Sequence, residues 1–240
     1  GWLVTATPPV ARVQWPRAYR IIKSQHPPIW LFEDITDPAD WEIVAEIEAR
    51  TNPRVRQEFG DISLVPVHRR VSGTGASWVM AAFTHVSRDR PSRFSDGTYG
   101  VYYAGNRFEV ALMETVYHFG RFLAATDEPG PLEEDFRLLV GEIDARMHDI
   151  RDDRRFTDCR DPDSYAASQA LARRLRDNEQ SNGIVYESVR YPAGAAIAAF
   201  WPDVVGRPVQ AEHLCYRWNG SQVSGYFVYG EEAWRTLPHA

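Results

Sequence analysis

The spacing of apolar and polar positions changes period several times along the chain, and each change marks an element. From Asp37, Trp41, Val44, Ala45 and Glu48 recur at helical spacing. Asp37 suits a cap there and Pro38 a first turn, so the stretch predicts a helix to Arg50, broken and restarted across "TNPRVRQEFG". "AYRII" (Ala18–Ile22) and "ISLVPVHRRV" (Ile62–Val71) predict strands, with the Pro-punctuated "SQHPPIWLFED" after the first. "GTGASWVMAAFTHV" reads as a glycine turn entering a short helix, and "RDRPSRFSDGTYG" as a loop with an Asp96-Gly97 turn. "YGVYYA" predicts a strand, followed by a helix from Arg107 to about Leu123, with Asn106 and Glu109 placed as a capping box.

Beyond the linker "EPGPLEED", "FRLLVGEI" predicts a strand and "DPDSYAASQALARRLRDN" a second Asp-Pro-initiated helix. Among its inward candidates are Tyr165, Ala172 and Leu175. "NGIVYESVR" and "GAAIAAF" predict strands, and Asn219-Gly220 a hairpin turn. Strands and helices mix without regular βαβ alternation. The expected fold is therefore α+β: a single domain over residues 19–240, after a loosely held or edge-hugging lead-in at residues 1–18. No dinucleotide-binding glycine pattern or P-loop is present.

Composition narrows the function. A net charge of −6 and a pI near 5.7 argue against direct nucleic-acid binding, which needs a basic face. No apolar run approaches the ~20 residues that span a membrane. The start lacks the charged and apolar regions of a secretory signal, and Cys159 and Cys215 form no disulfide framework or metal-ligand spacing. The expectation is a cytoplasmic protein without a metal.

The helix after "YGVYYA" carries the most informative residue. On a wheel of about 100° per residue, Phe108, Ala111, Leu112, Thr115 and Phe119 form one stripe. Glu114 falls on a second, mostly apolar face beside Val110, Met113 and Tyr117, with His118 one turn on. Either that face is solvated and Glu114 pairs with His118 or Arg121, or both faces are covered and the carboxylate is there to be used. The helix alone leaves both readings open.

The wider pattern bears on this. "RFSDGTYGVYYAGNRFEVALMETVYH", then "GIVYESVR" and "AAIAAFWP", resembles the RES-domain toxins. That family is named for an Arg, a Glu and a Ser, and is usually encoded beside an Xre-type helix-turn-helix antitoxin. "YRIIKSQHPPIWLFED", "TNPRVRQEFG" and "RRVSGTGASWVMAAFTHV" resemble its longer members, so the likeness runs from about Tyr19 to about Pro202. It implies a mixed β-sheet core like that of ADP-ribosyltransferase toxins, with NAD held in a cleft and consumed as a substrate. It also implies an antitoxin partner covering that cleft, and water, phosphate or a side chain of a target such as a metabolic enzyme as acceptor.

Residue by residue, the family Glu matches Glu114, the strand-end Tyr matches Tyr103, the loop Arg matches Arg93 and the Ser of Y-x-S matches Ser188. The first Arg matches Arg70, with Arg69 as its rival, while Arg20 in "YRII" also resembles a strand Arg. His118 follows the Glu by one turn, as the family pattern allows. Trp201 stands where a Phe-Arg-Pro-like end is expected.

Chemically, Glu114 would stabilise an oxocarbenium-like ribose, and Arg70 and Arg93 would fork onto a pyrophosphate. Tyr103 would stack on or edge the nicotinamide, and Ser188 would hydrogen-bond it or the ribose. His118 and His85 are acid/base candidates. Two other classes stay open: a glycosidase pairing Glu114 with Glu109 or Asp96, and a non-catalytic module whose cleft a protein partner fills.

Overall fold

The computed structural model describes residues 5–25, 33, 37–52, 54 and 60–239. Most of "SQHPPIWLFED" and the helix restart within "TNPRVRQEFG" lie outside them. Among the described residues seven strands form one mixed sheet: β1 (Val10–Lys23), β2 (Tyr102–Gly105), β3 (Leu132–Asp149), β4 (Gly183–Glu187), β5 (Ala195–Ala199), β6 (Val209–Trp218) and β7 (Val223–Val228). Their order is β1-β2-β5-β4-β3-β6-β7, and β1 also pairs with β3, so the first five strands close on themselves. Among the described residues only the β3–β4 pair is parallel. The fold is α+β, as the mixture of periods predicts.

Four α-helices accompany the sheet among the described residues: α1 (Trp41–Thr51), α2 (Ala76–Thr84), α3 (Phe108–Ala125) and α4 (Ala166–Asn178). Asp37 accepts the Ala39 N–H at 2.9 Å and Pro38 opens a 3-10 turn, Pro38–Asp40, that leads into α1, whose own cap, Asp40, makes no side-chain bond. Three cores result. Trp41 of α1 and Val79, Met80 and Phe83 of α2 pack with Ile143 and Met147 of β3. Leu171, Ala172 and Leu175 of α4 pack on Ile184 and Ala198. Leu112, Val116 and Phe119 of α3 pack on Phe136, Tyr216 and Trp218, where Phe136 stacks on Tyr216 with ring centroids 4.1 Å apart.

Several expectations are corrected. Residues 10–17 are no lead-in, because β1 begins at Val10 and pairs with β3 along nearly its whole length. Pro16 is accommodated where the β1–β3 register shifts between Trp15 and Ala18, and such irregularities are where a strand tolerates proline. Ile62–Val71 is not a strand. It folds as two 3-10 turns, Ile62–Leu64 and Val67–Arg69, separated by Pro66. Asp61 accepts the Ser63 N–H at 3.0 Å, and such local bonds compete with a sheet ladder.

Asn106 does not cap α3. Its Oδ1 accepts the Ala195 N–H at 2.9 Å and ties the β2 end to β5, while Arg107 takes the cap position without a side-chain bond. Close packing positions the helix instead. A Cβ on Gly105 would meet Val110 Cγ1 at 2.5 Å, and one on Gly194 would meet Val110 Cγ2 at 2.3 Å. Two bare backbones therefore admit Val110 and set how closely the start of α3 approaches the sheet.

Candidate active site

Where β1 and β2 meet α3, the chain leaves a cleft of about 570 Å³, within the roughly 300–1,000 Å³ usual for small-molecule sites. Each wall comes from a different element. α3 contributes Val110, Glu114, His118 and Phe122, while β1 contributes Tyr19, Arg20 and Lys23. The loop before β2 contributes Arg90, Ser92 and Arg93, and β2 itself Tyr103. Tyr165 at the start of α4 and Tyr186 of β4 complete the inner end.

Of the expected site residues, Glu114, Arg93, Tyr103 and His118 are brought together here. The Glu114 side chain is 28% exposed, and its Oε2 lies 3.5 Å from His118 Nε2. Both readings of this helix thus hold in part: the carboxylate has the i,i+4 partner, and it also faces a cleft. Burial raises the Tyr103 hydroxyl to about 12, with Glu114 adding to the rise against hydrogen bonds from Ser92 and Phe94 and the Arg93 charge. Burial, then Glu114 and Tyr103, push Tyr186 well above the ordinary phenol range. Both phenols stay neutral at physiological pH and remain hydrogen-bonding groups.

Tyr103 organises the loop. Its hydroxyl accepts the Phe94 N–H at 2.9 Å and shares a 2.7 Å hydrogen bond with Ser92 Oγ. Gln169 Nε2 donates to Ser92 O and Ser95 O from outside, and Ser168 Oγ donates to Arg93 O. Arg93 lies over the Tyr165 ring, 4.8 Å from its centroid, and donates from Nη1 to Cys159 O and Asp161 O at 3.2 and 2.7 Å.

Three expected residues lie elsewhere. Arg70 is spent on structure: it pairs with Glu42 and donates to the carbonyls of Val65, Pro38 and Ile62. Arg69 pairs with Asp203 at 3.0 Å, donates to Asn182 and covers the Trp201 ring. Trp201 also supports Arg176 and donates to Ser181 O, so this departure from the family pattern is built into packing. Ser188 is 2% exposed and closes the turn between β4 and β5: its Oγ accepts the Tyr191 N–H, and its N–H donates to Gly194 O. His85 ends α2 and does not line the cleft, and neither do Glu109 and Asp96, so among the described residues no second carboxylate joins Glu114 there.

The arginine that does reach the cleft from an early strand is Arg20. Its Nη1 donates to Tyr103 O at 3.1 Å, its guanidinium lies over the Tyr102 ring, and its buried Nε has no hydrogen-bond partner among the described residues. Burial lowers its pKa from the usual value. A charged residue inside the apolar strand "YRII" was the signal for it. Tyr165 and Tyr186 carried no such signal, since both look like core aromatics in the sequence.

Known proteins resemble this chain to different degrees. Over 218 residues the chain is 28% identical to the uncharacterized protein y4oC of Sinorhizobium fredii (strain NBRC 101917 / NGR234), covering 89% of this chain and 87% of that protein. A chain in the crystal structure of the M. tuberculosis MbcT–MbcA toxin–antitoxin complex aligns at 10% identity with a TM-score of 0.44, covering 88% of each chain. The RES domain family model matches residues 66–219, a span that holds β2, the whole of α3 with Glu114, and the strands through β6. The chain belongs to the RES domain family.

Proposed function

We propose that this chain is the toxin of a toxin–antitoxin pair and acts by cleaving the nicotinamide–ribose bond of NAD. The observation that carries the reading is Glu114, a cleft-facing carboxylate that shares its cavity with Arg20, Arg93 and two neutral tyrosines. Membership of the RES family supports the substrate class.

In this reading the glycosidic bond breaks with its electron pair moving to the nicotinamide nitrogen, which leaves neutral. Positive charge develops on the ribose, and Glu114 stabilises it across a site from which water is partly excluded. Arg20, and the donors of Arg93 beyond Nη1, hold the negatively charged pyrophosphate. The acceptor adds to the ribose carbon and sheds a proton if it is water or a neutral protein side chain. Protein, water and phosphate acceptors all fit the same donor site. An Xre-type helix-turn-helix antitoxin covers the mouth of the cleft and keeps NAD out.

The test is incubation of the purified chain, free of any antitoxin, with NAD while nicotinamide is measured. Release above a no-protein blank is expected; none at micromolar protein rejects the enzyme reading. Lysate incubated with labelled NAD then identifies the acceptor. A labelled protein band means transfer, and label confined to small molecules means hydrolysis or phosphorolysis.

A further inference from the structure

The two ends of the cleft differ in chemistry, and α3 measures the distance between them. Glu114, His118 and Phe122 stand at i, i+4 and i+8 and all line the cavity. At 1.5 Å of rise per residue, Phe122 lies about 12 Å along the helix from Glu114. The Glu114 end holds the arginines and tyrosines described above. The Phe122 end holds Phe119, Phe136 and Lys23.

Phe122 is 59% exposed, a large aromatic left to solvent at the edge of a cleft. Lys23 Nζ lies 5.5 Å from the ring centroids of both Phe119 and Phe122. No carboxylate pairs with Lys23 among the described residues. An exposed aromatic ring beside a cation that no carboxylate partners among the described residues suits a flat base that carries phosphate close by. A ligand that reaches only the Glu114 end would leave this half of the cavity unused.

We propose that the Phe122–Lys23 end is a second subsite, which stacks the distal purine base of a dinucleotide on Phe122 and sets Lys23 against a phosphate of that nucleotide. The proposal deepens the NAD reading and rests on it for the identity of the other half of the ligand. The phosphate that meets Lys23 is either the pyrophosphate or a 2′-phosphate on the distal ribose.

Calorimetric titration separates these cases without relying on catalysis. The probes are adenosine 5′-monophosphate and adenosine 2′,5′-bisphosphate, titrated into wild type, Phe122→Ala and Lys23→Ala. Wild type is expected to bind both, with Phe122→Ala weakening both about tenfold through loss of stacking. Lys23→Ala weakening both equally assigns the contact to the 5′ side, and weakening only the bisphosphate assigns it to the 2′ side. Absence of binding to wild type at millimolar probe, equal affinity in Phe122→Ala, or no effect of Lys23→Ala on either probe overturns the subsite.

Nicotinamide release measured in parallel keeps the two proposals apart. In Phe122→Ala the KM for NAD should rise about tenfold more than the KM for nicotinamide mononucleotide, which lacks the distal base. A wild-type enzyme that turns over NAD, with a Phe122→Ala variant of unchanged KM, sinks the subsite and leaves the NAD reading standing. A wild-type chain that releases no nicotinamide yet binds the adenine probes at Phe122 does the reverse.

Discussion

Replacing Arg70 with alanine separates a structural arginine from a catalytic one. The Arg70 side chain is 2% exposed, and its fork of donors ties three segments together. Nε donates to Val65 O at 2.9 Å, and Nη1 to Pro38 O at 2.7 Å and to Glu42 Oε2 at 2.9 Å. Nη2 donates to Ile62 O at 3.3 Å and to the other Glu42 oxygen. Arg70→Ala leaves three carbonyls without this donor. Glu42 is 43% exposed and rehydrates, so most of the cost comes from the carbonyls and the void. At about 1 kcal/mol per lost bond to the three carbonyls the total is about 3 kcal/mol. For a chain of this size that lowers the melting temperature by roughly 6–12 °C. Thermal unfolding followed by circular dichroism reads this directly. Arg70→Lys should recover only part of the loss, because an ammonium cannot reproduce the fork. Nicotinamide release at 20 °C should stay within about twofold of wild type once the folded fraction is matched. A variant that melts within about 2 °C of wild type but loses about tenfold in KM or kcat would place Arg70 in the site and refute this assignment.

Two further outcomes follow from the geometry. Gly105→Ala drives a Cβ into Val110 at 2.5 Å and so lifts the start of α3; overpacking of this kind costs about 1–3 kcal/mol. Chemical denaturation should show that loss and partial recovery on adding Val110→Ala, and an unaltered midpoint in Gly105→Ala would mean the helix start is free to move. At Asp96, burial would raise the carboxyl, but hydrogen bonds from Thr98 and Arg173 outweigh it and hold the pKa at about 2, below the ordinary 3.8. The resulting stabilisation is fully present above pH 3.8 and is lost as pH falls through the folded value near 2. The Arg173 and Asp96 side chains are 42% and 39% exposed, so solvent screening limits the effect to at most about 1 kcal/mol. Asp96→Asn should therefore unfold at lower urea than wild type at pH 6, with the gap closing towards pH 2. A gap independent of pH would trace the effect to packing.

What could be read from the sequence was what local pattern encodes. The period of α3, the Asp37-Pro38 start before α1 and the Asn219-Gly220 turn depend on neighbours within a few residues, and all three were legible. Glu114 stood out because a carboxylate on an apolar helix face needs a reason. The failures were non-local. Arg20, Arg69 and Arg70 look alike as strand-like arginines, and only their partners separate them: Glu42 and three carbonyls for Arg70, Asp203 for Arg69, and the cleft for Arg20. Asn106 has the chemistry of a cap, but its bond to the Ala195 N–H, 89 residues away, takes that oxygen. Ile62–Val71 has the β-branched content of a strand, yet Asp61 and Pro66 turn its backbone locally. Ser188 fitted a motif, and its hydroxyl is taken up by the turn that follows.

The role proposed for Glu114 is to stabilise positive charge on the ribose of NAD. Two unit charges about 4 Å apart interact by about 4 kcal/mol at an effective dielectric of ~20. Partial exposure of the carboxylate reduces this, which leaves a rate effect on the order of 10²–10³. The direct measurement is nicotinamide release from NAD by wild type and by Glu114→Gln, a replacement of the same shape without the charge. Wild type should release nicotinamide, the variant should fall on the order of 10²–10³-fold, and the unfolding midpoints should lie within about 2 °C of each other. A Glu114→Gln protein that releases nicotinamide within about threefold of wild type contradicts that role.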